Sequence, residues 1–347
     1  NYRRLLAQKY TAVCTNPPYL NKYNPKLKEY INRHYKDYAG DLFSVFIYRN
    51  LLLCQPGGYC GFMSPFVWMF IKTYQNLREY IIQNATITTL IQMEYSAFEE
   101  ATVPVCSFML KNSSAGEKGL YFRLSEFKGG MEVQRQKVLE AITDPDCGYF
   151  YEAQQSNFSK IPGSPVAYWV SEKLLLAFNN TTLYDKSISP SQNVTGNNAK
   201  YVRKHWEINV FKVNHKDKWI FYAKGGGYRK WWGNLDDIVN WTPAARSIYQ
   251  YGDGIHASQI INPEYWYKCG ITWGLITSAE PSFRIMPEGA TYDKGGSTII
   301  VDKDVFYFVL SLLNSKIYIE IARVFNPTLN FQVKDVRSVP LILEKTE

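Results

Sequence analysis

The sequence predicts an α/β fold, the second half of a twisted sheet, followed by a β-rich α+β domain. Three observations carry this. Through residue 111 the apolar patterning runs strand, helix, strand, helix, strand, strand. Asn112 to Gly119 is then a polar stretch of small residues, as linkers are. From residue 166 tryptophan and tyrosine become frequent, and short β-runs such as Trp219-Ile220-Phe221-Tyr222 are punctuated by Gly or Pro. Residues 1–111, 112–165 and 166–347 are accordingly read as a half-sheet domain, a transitional linker and a second domain. A chain of 347 residues, 46% of them apolar, has length and hydrophobic content for two cores.

The elements follow in order. Thr11 to Thr15 is a short apolar strand, expected at an exposed sheet edge. Asp41 to Cys54 reads as a helix with Phe46 on its inward face, stopped by a Gly57-Gly58 cap and turn and followed by a β-run to Met63. An amphipathic helix after Ser64-Pro65 ends near Gln83, and Val103 to Lys111 returns as an antiparallel strand. Leu120 to Leu124 is a strand, and Val133 to Ile142 a helix broken by Asp144-Pro145. Near the end, Val305 to Phe325 reads as one helix, leading to a short strand and Val339-Pro340-Leu341.

Composition excludes several classes. No run of about eighteen uninterrupted apolar residues exists, so no membrane partner is expected. The start lacks the pattern of an export signal, and the six cysteines form no C-x-x-C pair, which reads as buried thiols in a reducing cytoplasm. Neither the cysteines nor the four histidines have metal-ligand spacing, so no metal is expected. The formal charge of +8, from 39 basic and 31 acidic side chains, permits a polyanionic partner.

The most informative segment is Asn16-Pro17-Pro18-Tyr19, directly after the first strand. An exocyclic aryl amine is a poor nucleophile because its lone pair is delocalised into the ring. Two acceptors, the Asn16 side-chain oxygen and the Pro17 carbonyl, can take its N–H groups and stabilise the positive charge that develops during methyl transfer. Pro17 and Pro18 stiffen the loop so that those acceptors stay aimed. Tyr19 offers a π-face to the base, which inside a duplex must first be swung out of the stack.

In this setting residues 11–111 resemble the catalytic half of a gamma-class DNA adenine-N6 methyltransferase. Besides the tetrapeptide, the ordered matches are Gly40 to Phe46, Gln55 to Met63 with its Pro-Gly-Gly turn, Ser64 to Trp68, and Ala97 to Val103. The resemblance implies a class I methyltransferase, Rossmann-like sheet and S-adenosylmethionine as donor. It implies that Asn16, Pro17, Pro18 and Tyr19 are catalytic, that Tyr19 and Phe98 stack on the target base, and that Leu42 or Phe46 edges the donor's adenine. The family's Gly-rich donor loop precedes its Asn-Pro-Pro-Tyr, and fifteen residues are too few to hold it. The chain is therefore expected to be the C-terminal part of a longer enzyme and, alone, not to bind the donor.

The second half interleaves cations with aromatics. Lys200, Arg203 and Lys204 lie near Trp206, and Lys224, Arg229 and Lys230 near Trp231 and Trp232; with Arg284 they are the candidate DNA contacts. Thr195 to Asn198, Lys224 to Trp232, Trp273 with Ser282 to Arg284, and Leu312 to Lys316 resemble the target-recognition domains of large adenine methyltransferases from bacterial phage-exclusion and fused type II restriction systems. At Asn197 that family commonly has Asp. The resemblance implies double-stranded DNA as partner, with further subunits of a defence system possible. Two other readings stay open: a DNA-binding specificity module without catalysis, and a protein glutamine N-methyltransferase, which uses the same tetrapeptide.

Overall fold

The computed structural model describes residues 2–95, 103–114, 116–214, 216, 218–252, 254–275, 280–325 and 331–343. The chain divides into two compact units, Asn1–Phe178 and Asn179–Glu347.

Unit 1 contains α1 (Tyr2–Ala7), β1 (Tyr10–Thr15), α2 (Pro25–His34), α3 (Leu42–Leu53), β2 (Cys54–Pro65), α4 (Gln75–Asn84), β3 (Thr86–Gln92), β4 (Val105–Lys111), β5 (Lys118–Arg123), α5 (Gly130–Thr143), β6 (Phe150–Gln154) and α6 (Glu172–Ala177). Its sheet has the order β1-β2-β4-β3-β5-β6. β1 runs parallel to β2, while β4 lies antiparallel between β2 and β3, as the sequence indicated. β1 ends the sheet: its inner side pairs with β2, and among the described residues no strand pairs with its outer side.

One face of this sheet is packed. Phe43, Ile47 and Leu51 of α3 and Leu77 and Ile81 of α4 meet Cys60, Phe62, Cys106, Phe108 and Leu90 in a continuous core. The alternate residues point the other way, and there Tyr59, Met109 and Leu120 are exposed.

Several sequence expectations change. Residues 112–165 are not a linker, because β5 pairs parallel with β3 and β6 antiparallel with β5, extending the sheet by two strands. The boundary also moves from 166 to 178, and buried Arg78 shows why. Its guanidinium donates to the carbonyls of Trp68 and Ile71 and to those of Gly163 and Ser164 at 2.7–3.2 Å, tying the later segment onto the helix side of the sheet. Val166 adds a backbone bond to Met69, and the Tyr168 hydroxyl donates to Gln92. The bonds to Gly163 and Ser164 and those of Val166 and Tyr168 join residues more than 70 positions apart, so periodicity could not reveal them.

Gly57 and Gly58 do not cap a helix either. α3 passes directly into β2, and the glycines form a bulge, with the register stepping from Tyr10↔Cys54 to Ala12↔Tyr59. The expected long helix after Ser64-Pro65 is two 3-10 turns, Phe66–Met69 and Lys72–Tyr74, before α4. α2 lies in the polar stretch after Asn16-Pro17-Pro18-Tyr19, where apolar periodicity is weak; Asn24 caps it through Leu27 N–H, and Pro25 starts it.

Unit 2 contains β7 (Ser187–Ile188), α7 (Asn198–Tyr201), β8 (Val202–Lys204), β9 (Trp219–Ala223), β10 (Asp237–Asn240), α8 (Pro243–Tyr251), β11 (Gly270–Trp273), β12 (Phe283–Met286), β13 (Thr291–Tyr292), β14 (Thr298–Val301), α9 (Phe306–Leu313), α10 (Lys316–Phe325) and α11 (Val333–Arg337). Its two four-stranded sheets have the orders β13-β9-β10-β8 and β12-β11-β14-β7. Tyr201, Ile220, Tyr222, Val239, Trp241 and Tyr249 form one core. The helix read as Val305 to Phe325 is two helices. Asn314 breaks it by accepting from Phe283 N–H and donating to the Phe283 and Leu310 carbonyls, and Ser315 Oγ accepts from Tyr318 N–H at the start of α10. Where a strand was expected before Val339, α11 forms.

The bulge supplies a test. A Cβ at Gly58 would stand 2.6 Å from the Thr11 carbonyl oxygen and 2.8 Å from Cys54 Sγ. Gly58→Ala should lower stability by about 1–3 kcal/mol, as overpacking does, read as the shift in the denaturant midpoint. Gly57, at φ 77° with nothing within 4 Å of its Cβ position, should accept Asn almost neutrally.

Candidate functional site

Asn16-Pro17-Pro18-Tyr19 leaves the C-terminal end of β1 as an open loop. Pro17 is buried, whereas Asn16, Pro18 and Tyr19 are exposed. One proline thus anchors the turn while the amide and the ring face outward. The Tyr19 hydroxyl donates to Asn16 Oδ1 at 3.3 Å, a long bond that marks this oxygen as an accessible acceptor. The Tyr19 ring meets Phe43 edge-on at 6.3 Å, and burial, followed by the proximity of Cys106, pushes its phenol above the ordinary value.

What fixes the loop is Asp41. Its Oδ1 accepts from Leu20 N–H at 2.9 Å and from Phe43 N–H at 3.2 Å, the second being the N-cap of α3. Leu42 N–H donates in turn to the Leu20 carbonyl at 2.9 Å. The residue that ends the tetrapeptide's turn is therefore bonded on both sides to the first turn of α3. Burial, followed by the charge of Asp41, pushes the Tyr23 phenol up to about 12, so it stays protonated; its hydroxyl donates to the Ala39 carbonyl. Sequence reading missed the role of Asp41. Asp before an apolar helical run is a recognisable cap signal, but the bond to Leu20 spans 21 residues and no local pattern encodes it.

Leu42 and Phe46, the candidate donor contacts, lie one turn apart on α3 and are both half-buried. The inward face belongs instead to Phe43, Ile47 and Leu51, which corrects the placement of Phe46 in the core and leaves its edge open. Phe98 lies outside the described residues. A cavity of about 550 Å³ adjoins the loop, lined by Cys14, Thr15 and Asn16 and by sheet residues including Met63, Ile91 and Met109. Its walls are mostly apolar. Lys22, Lys26 and Lys28, which sequence reading also passed over, are exposed in and just before α2.

The eight side chains expected to contact DNA separate into groups. Lys200, Arg229 and Trp231 are exposed. Arg203 folds back onto the carbonyls of Ala199 and Val202, and Lys204 pairs with Asp237 at 3.1 Å. Lys230 Nζ donates to the Asn314 carbonyl, and Lys224 is half-buried. Arg284 is a correction: at 1% exposure it cannot reach a phosphate. Its guanidinium, lowered to about 10 by burial, donates to the Gly225 carbonyl at 2.6 Å and more weakly to that of Ser282. Asn197 caps α7 by accepting from Lys200 N–H, a role Asp fills equally well.

Comparison with known proteins agrees with this geometry. Residues 4–98 match the family of Eco57I restriction-modification methylases. Over 97% of its length the chain is 32% identical to the adenine-specific methyltransferase PglX of Lacticaseibacillus casei (strain Zhang), covering 30% of that protein. The chain is a homologue of adenine-specific methyltransferases. It is also 30% identical, again over 97% of its length, to the adenine-specific methyltransferase BrxX of Escherichia coli O9:H4 (strain HS), covering 28% of it. It thus spans less than a third of either relative.

Two solved structures share the fold over nearly the whole chain. The type IIL restriction-modification enzyme MmeI, in complex with DNA, matches 92% of this chain and 45% of its own at a TM-score of 0.58 and 10% identity. A nuclease-deletion mutant of the type ISP enzyme LlaGI, with a DNA substrate mimic, matches 96% and 41% at 0.51 and 13%. The α/β class of unit 1, with its mixed six-stranded sheet, stands confirmed.

Two outcomes follow. Asp41→Ala leaves the Leu20 N–H and the α3 cap without their acceptor and should cost about 1–3 kcal/mol of stability; Asp41→Asn, which keeps an oxygen in place, should recover most of it in thermal melts. Arg284→Leu removes the donor to Gly225 and should destabilise by a similar about 1–3 kcal/mol, visible in the same melts.

Proposed function

We propose that the protein is a site-specific DNA adenine-N6 methyltransferase, acting in the cytoplasm on double-stranded DNA with S-adenosylmethionine as methyl donor. Unit 1 supplies the catalytic loop and unit 2 recognises the target. The observation that carries this reading is an open acceptor loop, Asn16 to Tyr19, anchored by buried Pro17 within it and by buried Asp41 just after it, in a chain homologous to adenine-specific methyltransferases.

In this mechanism the flipped adenine presents its amine to Asn16 Oδ1 and the Pro17 carbonyl, and the two N–H bonds draw the nitrogen towards tetrahedral geometry. The amine takes over the acceptor that the Tyr19 hydroxyl uses here, and the Tyr19 ring lies against the base. S-adenosylmethionine supplies an electrophilic methyl on sulfonium. Leu42 and Phe46 offer a partly open apolar edge to its adenine. No side-chain base is required, because the proton leaves the methylated nitrogen for solvent. Further subunits of a defence system can join the enzyme; among the described residues no helix is long and apolar enough to cross a membrane.

The experiment is methylome sequencing of cells carrying the full-length gene, its Asn16→Ala variant, or neither. We expect N6-methyladenine in one sequence context with the intact gene. Purified Asn16→Ala should lose about 10²–10³-fold in rate, as when one pre-aimed polar group is removed from a developing charge, with little change in thermal midpoint. An unchanged rate, or methylation of another base, would overturn the assignment.

A further inference from the structure

The segment from Gly227 to Asn234 in unit 2 forms an unusually restrained strap. Trp231 adopts φ 75°, in the left-handed region that non-glycine residues rarely enter. Its own N–H donates to the Phe283 carbonyl and its carbonyl accepts from Ile285 N–H, both at 2.9 Å, so it is bolted to β12 on either side of Arg284. Arg229 N–H donates to Ser282 Oγ, Lys230 Nζ to the Asn314 carbonyl, and Asn234 Nδ2 to the Gly227 carbonyl, which closes the strap on itself. Beneath it the buried Arg284 guanidinium holds Gly225. Strain of this kind persists only where the surroundings over-determine it. The residue so held is nevertheless 50% exposed, and Trp232 and Tyr228 beside it are 58% and 53% exposed.

The occupant is indicated by charge. Between Lys200 and Lys230 the sequence has nine basic residues against two acidic ones, Glu207 and Asp217. A rigidly presented aromatic ring among cations suits a polyanion whose interior is stacked π-systems.

We propose that Trp231 is an intercalating wedge: on a duplex gripped by cations that include the exposed Arg229 two residues away, its ring enters one base step, unstacks it and kinks the helix. This rests on unit 2 being the DNA-binding part. The fixed backbone means that little freedom is lost on insertion. Trp231 rather than Trp232 takes this role because only Trp231 is bonded on both sides to β12, whereas Trp232 lines a cavity with His205, Phe221 and Arg229.

The test uses the full-length protein and duplexes containing its methylation site, with 2-aminopurine placed at successive steps. Binding should raise the fluorescence at one step. Trp231→Ala should abolish that rise and weaken binding about 5- to 150-fold, the range for losing one base–aromatic stack, with the salt dependence of binding unchanged. Trp231→Asn, which tolerates the left-handed backbone, removes the ring without disturbing the strap and should behave the same way. An abasic gap at the responding step should restore part of the lost affinity. Arg229→Ala should instead reduce the slope of log affinity against log salt by about 0.9, as loss of one phosphate contact does. If wild type binds with a salt slope but no step responds, or if both Trp231 variants bind as wild type does, the wedge is overturned while DNA recognition by unit 2 stands. The wedge is equally overturned if those variants lose only association with another protein. If wild type binds no duplex at all, the reading of unit 2 itself falls.

Discussion

A single carboxylate organises the end of unit 1 that carries the Asn16 to Tyr19 loop. Asp41 joins the turn after the tetrapeptide to the cap of α3 through two backbone N–H groups on one oxygen. α3 in turn is fixed by the core it shares with β2 and β4. The position of Asn16 is therefore set by the sheet. A polarising acceptor has value only if it need not reorganise as charge develops, and in the proposed mechanism this chain of bonds would meet that requirement.

Stiffness is distributed unevenly along the loop. Pro17 is packed inside, and Leu20 is bonded at both its N–H and its carbonyl. Asn16 and Tyr19 share a long side-chain bond, and the Tyr19 ring adds an edge-on contact to Phe43. The groups that would touch a base are the lightly engaged ones, and the groups that aim them are buried. Unit 2 repeats the arrangement at Trp231, where an exposed ring sits on a backbone pinned from beneath.

Local chemistry made part of this legible in the sequence. The tetrapeptide after a strand, the antiparallel return of Val105–Lys111 and the β-rich second unit all follow from patterns within a few residues. What sequence reading lost depended on distant partners. Residues 112–165 look like a linker because β5 and β6 are short and flanked by polar residues, yet their edges find β3 and each other. Arg78 lies on a helix whose periodicity says nothing of a carbonyl 85 residues away. Arg284 shows the converse error: a cation beside aromatics reads as a phosphate contact until its burial and its bond to Gly225 are seen. The helix expected over Val305 to Phe325 failed for a partly local reason: the cap at Ser315 was present in the sequence and outweighed by the apolar periodicity around it, whereas the Asn314 bonds to Phe283 span 31 residues.

The central claim is that Asn16 and Pro17 receive the target amine in a position fixed by the fold. Its most direct measurement is an experimental structure of the full-length protein on its target duplex with a non-reactive analogue of the donor. The account places the extruded adenine's N6 within about 3.2 Å of both Asn16 Oδ1 and the Pro17 carbonyl oxygen, the reach of a hydrogen bond, with Asp41 still bonded to Leu20. An adenine bound away from this loop, or one whose amine is held by other groups while Asn16 faces solvent, would contradict it.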